Sequence, residues 1–195
     1  MIWIWTALEV AAVLFTLANV WLAVKENMWT WPTGIMAVLL TFILYWHKLI
    51  YLNAWLQIVY FLLSIHGWYE WLHGGVNKTE RCISWASGMT WAVTMPVGVA
   101  LTILLLYLER RFAPGGSLPL WDALTTAFSI VAQYMLNMKI IENWIIWAIV
   151  DVIYVFMLVD QHLYYLAALN GFLIVLCAKG FIDWRRSIET ARASV

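Results

Sequence analysis

The sequence predicts an all-α integral membrane protein, with seven transmembrane helices in a three-plus-one-plus-three arrangement of two parallel repeats. Three observations predict it. Only 11% of the 195 residues are charged and 65% are apolar, with a mean hydropathy of +0.82, whereas a soluble domain carries roughly 25% charged residues. The apolar residues run in long uninterrupted stretches rather than alternating, which selects helices over a barrel. Short segments also recur in the same order in the two ends of the chain. The charge content excludes a soluble enzyme, and eleven basic residues against eleven acidic ones leave no basic face for nucleic acid. Seven spans of about 20 residues use about 140 positions, so no separate water-soluble domain fits.

Polar punctuation places the helices at about 3–24, 31–46, 50–71, 85–108, 121–138, 144–160 and 163–182. The first has no Lys or Arg before Lys25 and carries Glu9. It lacks the basic start of a cleaved signal peptide and is expected to remain as a span. The second opens on Trp31-Pro32, where proline's missing N–H costs nothing. Lys48, Arg110 and Arg111 fall on the N-terminal side of the bilayer, and the other eight basic residues fall on the opposite side. This bias puts the N-terminus outside and the C-terminus in the cytoplasm. Cys82 and Cys177 make no disulfide framework and read as structural or incidental.

Glu26-Asn27 followed by Trp31 returns 116 residues later as Glu142-Asn143 followed by Trp147. Gly67-Trp68-Tyr69-Glu70-Trp71 returns 113 residues later as Gly180-Phe181-Ile182-Asp183-Trp184, and Leu56-Gln57 as Leu169-Asn170. The expected organisation is a first three-helix repeat at 1–82, a linker helix at 83–118, a second repeat at 119–186 and a cytoplasmic tail at 187–195. Four spans separate equivalent helices, so the halves are parallel, and a substrate site is expected near mid-membrane where they meet.

A polar side chain is costly in lipid and marks a bundle interior or a pathway. Asp151 stands out, about 10 Å into the sixth helix at 1.5 Å per residue. Trp144, Trp147, Asp151 and Tyr154 follow spacings of three, four and three, so they share one face. An acid between aromatic rings suits a cationic aromatic ligand through stacking, cation–π attraction and countercharge. It also suits an Asp tied into an interhelical network. Gln57, Tyr60 and Ser64 stripe the third helix, Ser129 and Gln133 the fifth, and Asn170 the seventh. Their amides and hydroxyls read either as ligand contacts or as helix–helix bonds. Lys139, Glu142 and Asn143 are expected to cap and orient the start of the sixth helix. Most of the fifteen Trp fall at span ends, as interface belts do. Lys179 reads as a snorkelling amine. No Walker loop, metal-spaced His or Cys cluster, or nucleophile elbow occurs, so neither catalysis nor a cofactor is expected.

Leu56-Gln57-x-x-Tyr60 leading to Gly67-Trp68-Tyr69-x-Trp71, Trp29-x-Trp31-Pro32-x-Gly34, and Glu142-Asn143-Trp144-x-x-Trp147-x-x-x-Asp151 together resemble the PnuC-type vitamin transporters. These are bacterial inner-membrane carriers for nicotinamide riboside and related compounds. The resemblance runs from about residue 8 to residue 186. It implies a bundle like that of the SWEET sugar carriers, assembled as a homotrimer. It also implies facilitated diffusion of the vitamin, trapped afterwards by a cytoplasmic kinase. The ligand contacts it implies are Gln57, Trp147 and Asp151, with Tyr60, Asn143 and Tyr154 beside them. The polar position of the sixth helix is Asn in some members and Asp here. Close relatives carry thiamine, also a cationic aromatic, so thiamine uptake and proton-coupled transport through Asp151 stay open.

Overall fold

The computed structural model describes residues 2–49, 51–112 and 119–193. Among them lie seven α-helices: α1 (Ile2–Val24), α2 (Thr30–His47), α3 (Tyr51–His73), α4 (Gly88–Phe112), α5 (Pro119–Asn137), α6 (Asn143–Asp160) and α7 (Tyr164–Ala193). The only β pairing among the described residues is an isolated Ser84–Ile140 bridge. By length and apolar content, α1, α4, α6 and α7 can each cross a membrane; Trp, His, Asn and Gln dilute α2, α3 and α5. The boundary expected at residue 118 and the span start at residue 50 lie outside the described residues.

Two helices depart from the spans read in the sequence. α4 starts at Gly88 rather than 85, because the Ala86 N–H is committed to the Glu142 carboxylate at 2.9 and 3.0 Å. The hydroxyl of Ser87 then accepts the Thr90 N–H at 3.0 Å, an N-cap that fixes the start. At their C-terminal ends α4 and α7 run on past the apolar stretch. Glu, Arg and Ala are good helix formers, and Arg185 Nε donates to Glu189 one turn on at 2.8 Å. Apolarity marks where lipid ends, and the helix continues beyond it.

The chain divides into two compact units, Met1–Cys82 with Asn137–Lys139, and Ile83–Leu136 with Ile140–Val195. In the first, α2 packs against both α1 and α3. Asn19 Nδ2 donates to the Thr30 carbonyl at 2.6 Å, and the Thr30 hydroxyl donates back to the Asn19 carbonyl at 2.9 Å. A Cβ at Gly34 would lie 2.6 Å from the Asn19 amide nitrogen, so glycine makes this crossing possible. Trp31 meets Trp71 edge to face at 5.2 Å and 89°, and its ring fills the space a Cβ on Gly67 would take.

In the second unit α6 packs on α7. Trp144 meets Trp184 edge to face at 5.4 Å and 86°. A Cβ at Gly180 would come within 2.6 Å of the Trp144 ring. α4 buries only the small stripe Thr94, Gly98 and Thr102, four residues apart as in membrane helix contacts. It exposes Met89, Val93, Val97, Ile103 and Tyr107. The arrangement inverts a soluble amphipathic helix and fits a lipid-facing one.

The internal likeness is closer in the coordinates than in the sequence, and its offset is 113 throughout. α2 and α6 have the same 18-residue length and begin 113 residues apart. Glu26 (φ 54°) and Lys139 (φ 47°) both take the left-handed conformation, as do Leu49 (φ 61°) and His162 (φ 60°). After Glu26 and Lys139 the next N–H reaches back five residues, Asn27 to Leu22 and Ile140 to Met135, each at 2.9 Å. This is the Schellman closure of a helix. The structural mate of Trp31 is therefore Trp144. The sequence match through Glu-Asn, which pairs Trp31 with Trp147 at an offset of 116, is out of register by three.

Because both indoles occupy glycine gaps, Gly67→Ala and Gly180→Ala should each destabilise the purified protein by about 1–3 kcal/mol, the cost of overpacking a filled core. Gly171→Ala, which has nothing within 4 Å of its added Cβ, should leave the thermal midpoint in detergent unchanged.

Candidate functional site

The predicted residues divide between the units, Gln57 and Tyr60 in the first and Gln133, Asn143, Trp144, Trp147, Asp151, Tyr154 and Asn170 in the second. In the first unit Gln57 and Tyr60 are half-buried on α3. Ser64, one turn on, is buried and spends its hydroxyl on the Tyr60 carbonyl at 2.8 Å.

The second unit builds its cluster on the turn that enters α6. The Ile141 N–H donates to the Ser84 carbonyl at 3.0 Å. The Glu142 carboxylate accepts the Ala86 N–H, so residues 84–86 strap the turn in place. Glu142 and Asn143 do not cap α6 in the expected way, for Glu142 makes no side-chain cap bond to the helix. Lys139 does not reach along the helix to Glu142. It belongs to the first unit, where its amine stands 3.8 Å from Glu26 and 4.6 Å from the centre of the Trp71 ring.

Asn143 is fully buried. Its amide nitrogen donates to the Ile140 carbonyl at 2.7 Å, while its Oδ1 is buried without a hydrogen-bond partner among the described residues. The neighbouring Trp144 Nε1 is likewise buried and unpartnered. Trp31 Nε1 in the first unit shares that condition, so the orphaned indole N–H belongs to the repeated fold. The orphaned Asn143 oxygen does not. Its register mate Thr30 is satisfied by Asn19, whereas the mate of Asn19 is Ala132, which has no polar group to offer.

One helical turn further, α6 carries half-buried Trp147 where the first repeat has Gly34. The halves have exchanged sizes, with Asn19 and Gly34 in one and Ala132 and Trp147 in the other. Asp151 comes next and is buried, 6% exposed, at the register of Val38. The thiol of Cys177 on α7 donates to Asp151 Oδ2 at 3.9 Å, and no ion pair forms at Asp151 among the described residues. Tyr154 lies one turn beyond, half-buried. Gln133 on α5 and Asn170 on α7 are also half-buried, and Asn170 spends its amide N–H on the Leu166 carbonyl at 2.9 Å.

Sequence reasoning missed Cys177 and Ala132. The 113-residue register held a signal for both, because Cys177 is the mate of Ser64 and Ala132 the mate of Asn19. Chemically the second unit offers a buried carboxylate without a cation, a buried orphan acceptor, an orphan donor and two half-buried rings. Such a set suits a compact cationic aromatic molecule with a hydrogen-bonding substituent.

A family model described as nicotinamide mononucleotide transporter matches residues 6–186. The chain belongs to this family of PnuC-type transporters. Over 92% of its length it is 24% identical to the nicotinamide riboside transporter PnuC of Escherichia coli K12, covering 85% of that protein. The riboflavin/roseoflavin transporter RibM of Streptomyces davaonensis is 28% identical over 72% of this chain and 65% of its own. The crystal structure of the vitamin B3 transporter PnuC superimposes with a TM-score of 0.73 at 18% identity, covering 95% of this chain and 83% of that one. The fold is thus that of a solved member of the family. The protein is a multi-pass transporter of a bacterial family whose members are named for different vitamins.

Because the strap rests on a charged acceptor, Glu142→Ala should destabilise the second unit by about 1.5–3 kcal/mol, the range for hydrogen bonds to charged groups. Hydrogen exchange should show amides 84–87 and 140–144 losing protection first, with α1 to α3 unchanged.

Proposed function

We propose that the chain takes up nicotinamide riboside, a cationic pyridinium nucleoside, by facilitated diffusion. The observation that carries the reading is Asp151, buried in the second unit with a thiol beside it and no cation paired to it among the described residues. A buried carboxylate is strongly unfavourable unless a positive charge joins it, and a cationic substrate supplies that charge when it binds. Trp147 and Tyr154, on the face of α6 that bears the acid, provide rings for stacking. The Asn143 oxygen, a buried acceptor, complements a carboxamide, whose NH₂ donates. Gln133 and Asn170 of the same unit add amide groups for the substrate. Among the described residues no lysine or arginine pairs with Asp151, which disfavours a phosphorylated substrate.

The same reading includes the parallel three-plus-one-plus-three arrangement, with the repeats at 1–82 and 119–186 joined through α4. It also includes a location in the bacterial inner membrane, the N-terminus outside, homotrimeric assembly and trapping of the product by a cytoplasmic kinase. The geometric support for the repeat is the constant 113-residue register of helices, turns and Trp–Gly contacts.

The test is uptake of labelled nicotinamide riboside into proteoliposomes. Asp151→Asn should lower uptake of the riboside at least tenfold, about 1.4 kcal/mol or more of lost charge pairing. An uncoupler should leave the wild-type rate unchanged. Undiminished uptake by well-inserted Asp151→Asn would contradict the site. Uncoupler sensitivity would make Asp151 a proton carrier. Transport of thiamine alone would keep the mechanism and replace the substrate.

A further inference from the structure

The extramembrane end of the second unit holds a groove that the transport reading does not use. α7 has 30 residues, about 45 Å at 1.5 Å per residue, against a hydrocarbon layer of about 30 Å. Its last turns therefore emerge from the lipid core. The emerging segment and the extended residues before α4 enclose two adjoining open cavities of about 440 and 650 Å³ that share Trp85, Ile188 and Arg192. Arg185 and Glu189 line the first, and Ile83, Ser84 and Ala191 the second. Trp85 is held against α7 by an edge-to-face contact with Phe181 at 6.1 Å and 79°.

We propose that this groove holds the phosphodiester headgroup of an anionic glycerophospholipid from the surrounding bilayer. Its level is right, because Phe181 belongs to the end of the apolar stretch of α7, and Asp183, Arg185 and Arg186 open the polar one. The groove thus opens where headgroups lie and where Trp commonly anchors. Its chemistry is right as well. The guanidinium forks of Arg185 and Arg192 match phosphate oxygens, and Ser84 adds a hydroxyl. Ile83, Ile188 and Ala191 give the glycerol and first acyl carbons an apolar wall.

Glu189 works against the anion, and its geometry limits the conflict. It accepts Arg185 Nε at 2.8 Å, which leaves the two terminal nitrogens of Arg185 to face a phosphate. An open groove, rather than a closed pocket, also suits a ligand whose tails stay in the membrane. Basic residues just outside a transmembrane helix recognise anionic lipid in this manner.

Native mass spectrometry of the chain from mixed micelles with equal phosphatidylglycerol and phosphatidylcholine tests the assignment. Wild-type protein should retain phosphatidylglycerol in preference by about fivefold or more, as expected for two basic contacts. Arg185→Gln with Arg192→Gln should abolish the preference, and Arg186→Gln, outside the groove, should keep it. Glu189→Gln should increase retention, a change of sign that misfolding cannot imitate. Equal retention of both lipids by wild type, or unaltered preference in the double variant, would overturn the proposal. So would displacement of the lipid by excess inorganic phosphate, which would make the ligand a soluble phosphate.

Discussion

An indole set edge-on against a second indole, over a residue without a side chain, is the contact on which the rest of the structure depends. Trp31 over Gly67 against Trp71, and Trp144 over Gly180 against Trp184, each join the first turn of one helix to the C-terminal half of the next. In lipid no hydrophobic effect drives helices together, so close packing and the few available polar bonds must do so. A large rigid ring in a glycine gap supplies that packing and fixes both the spacing and the rotation of the pair. The turns that lead into α2 and α6 follow from it. Glu26 and Lys139 accept the left-handed conformation, at roughly 1–2 kcal/mol each, so that the next helix begins with its Trp in place.

With that frame common to both halves, the differences between them carry the functional reading. Asn19 locks Thr30 in the first repeat, and Gly34 makes room for the lock. Ala132 and Trp147 replace that pair in the second repeat, leaving a buried oxygen on Asn143 and a half-buried ring. Val38 gives way to Asp151, and Ser64, whose hydroxyl is spent on its own helix, gives way to Cys177 beside the acid. One repeat is hydrogen-bonded within itself at these positions, and the other keeps unsatisfied groups. Unsatisfied buried polar groups cost stability, and in a transporter of this family a passing substrate is a physical reason to keep them.

That the chain is an all-α membrane protein was plainly legible in the sequence, because 65% apolar residues in long runs have one stable solvent. Helix ends were less so. Apolarity marks the edge of lipid, whereas α7 continues to Ala193 on ordinary helix propensity, and the start of α4 is set by a carboxylate 56 residues away. An internal likeness was visible, but its register was blurred. Glu-Asn-x-x-x-Trp matches at 116 and the other two segments at 113, and the paired left-handed turns settle the register at 113. Of the candidate site, Asp151 and its helical face were readable from spacing alone. Cys177 looked incidental because a thiol is informative only once its neighbour is known. Ala132 carries no signal by itself, since its meaning lies in what its mate Asn19 does.

The central claim, that the second repeat presents an unbalanced buried acid to a cationic aromatic vitamin, is tested most directly by calorimetric titration. The purified chain would be titrated with nicotinamide riboside, and in parallel with neutral riboflavin. The account predicts saturable binding of the riboside, one molecule per chain, with no heat from riboflavin under the same conditions. Binding of riboflavin with equal or greater affinity, or no binding of the cation, would contradict it.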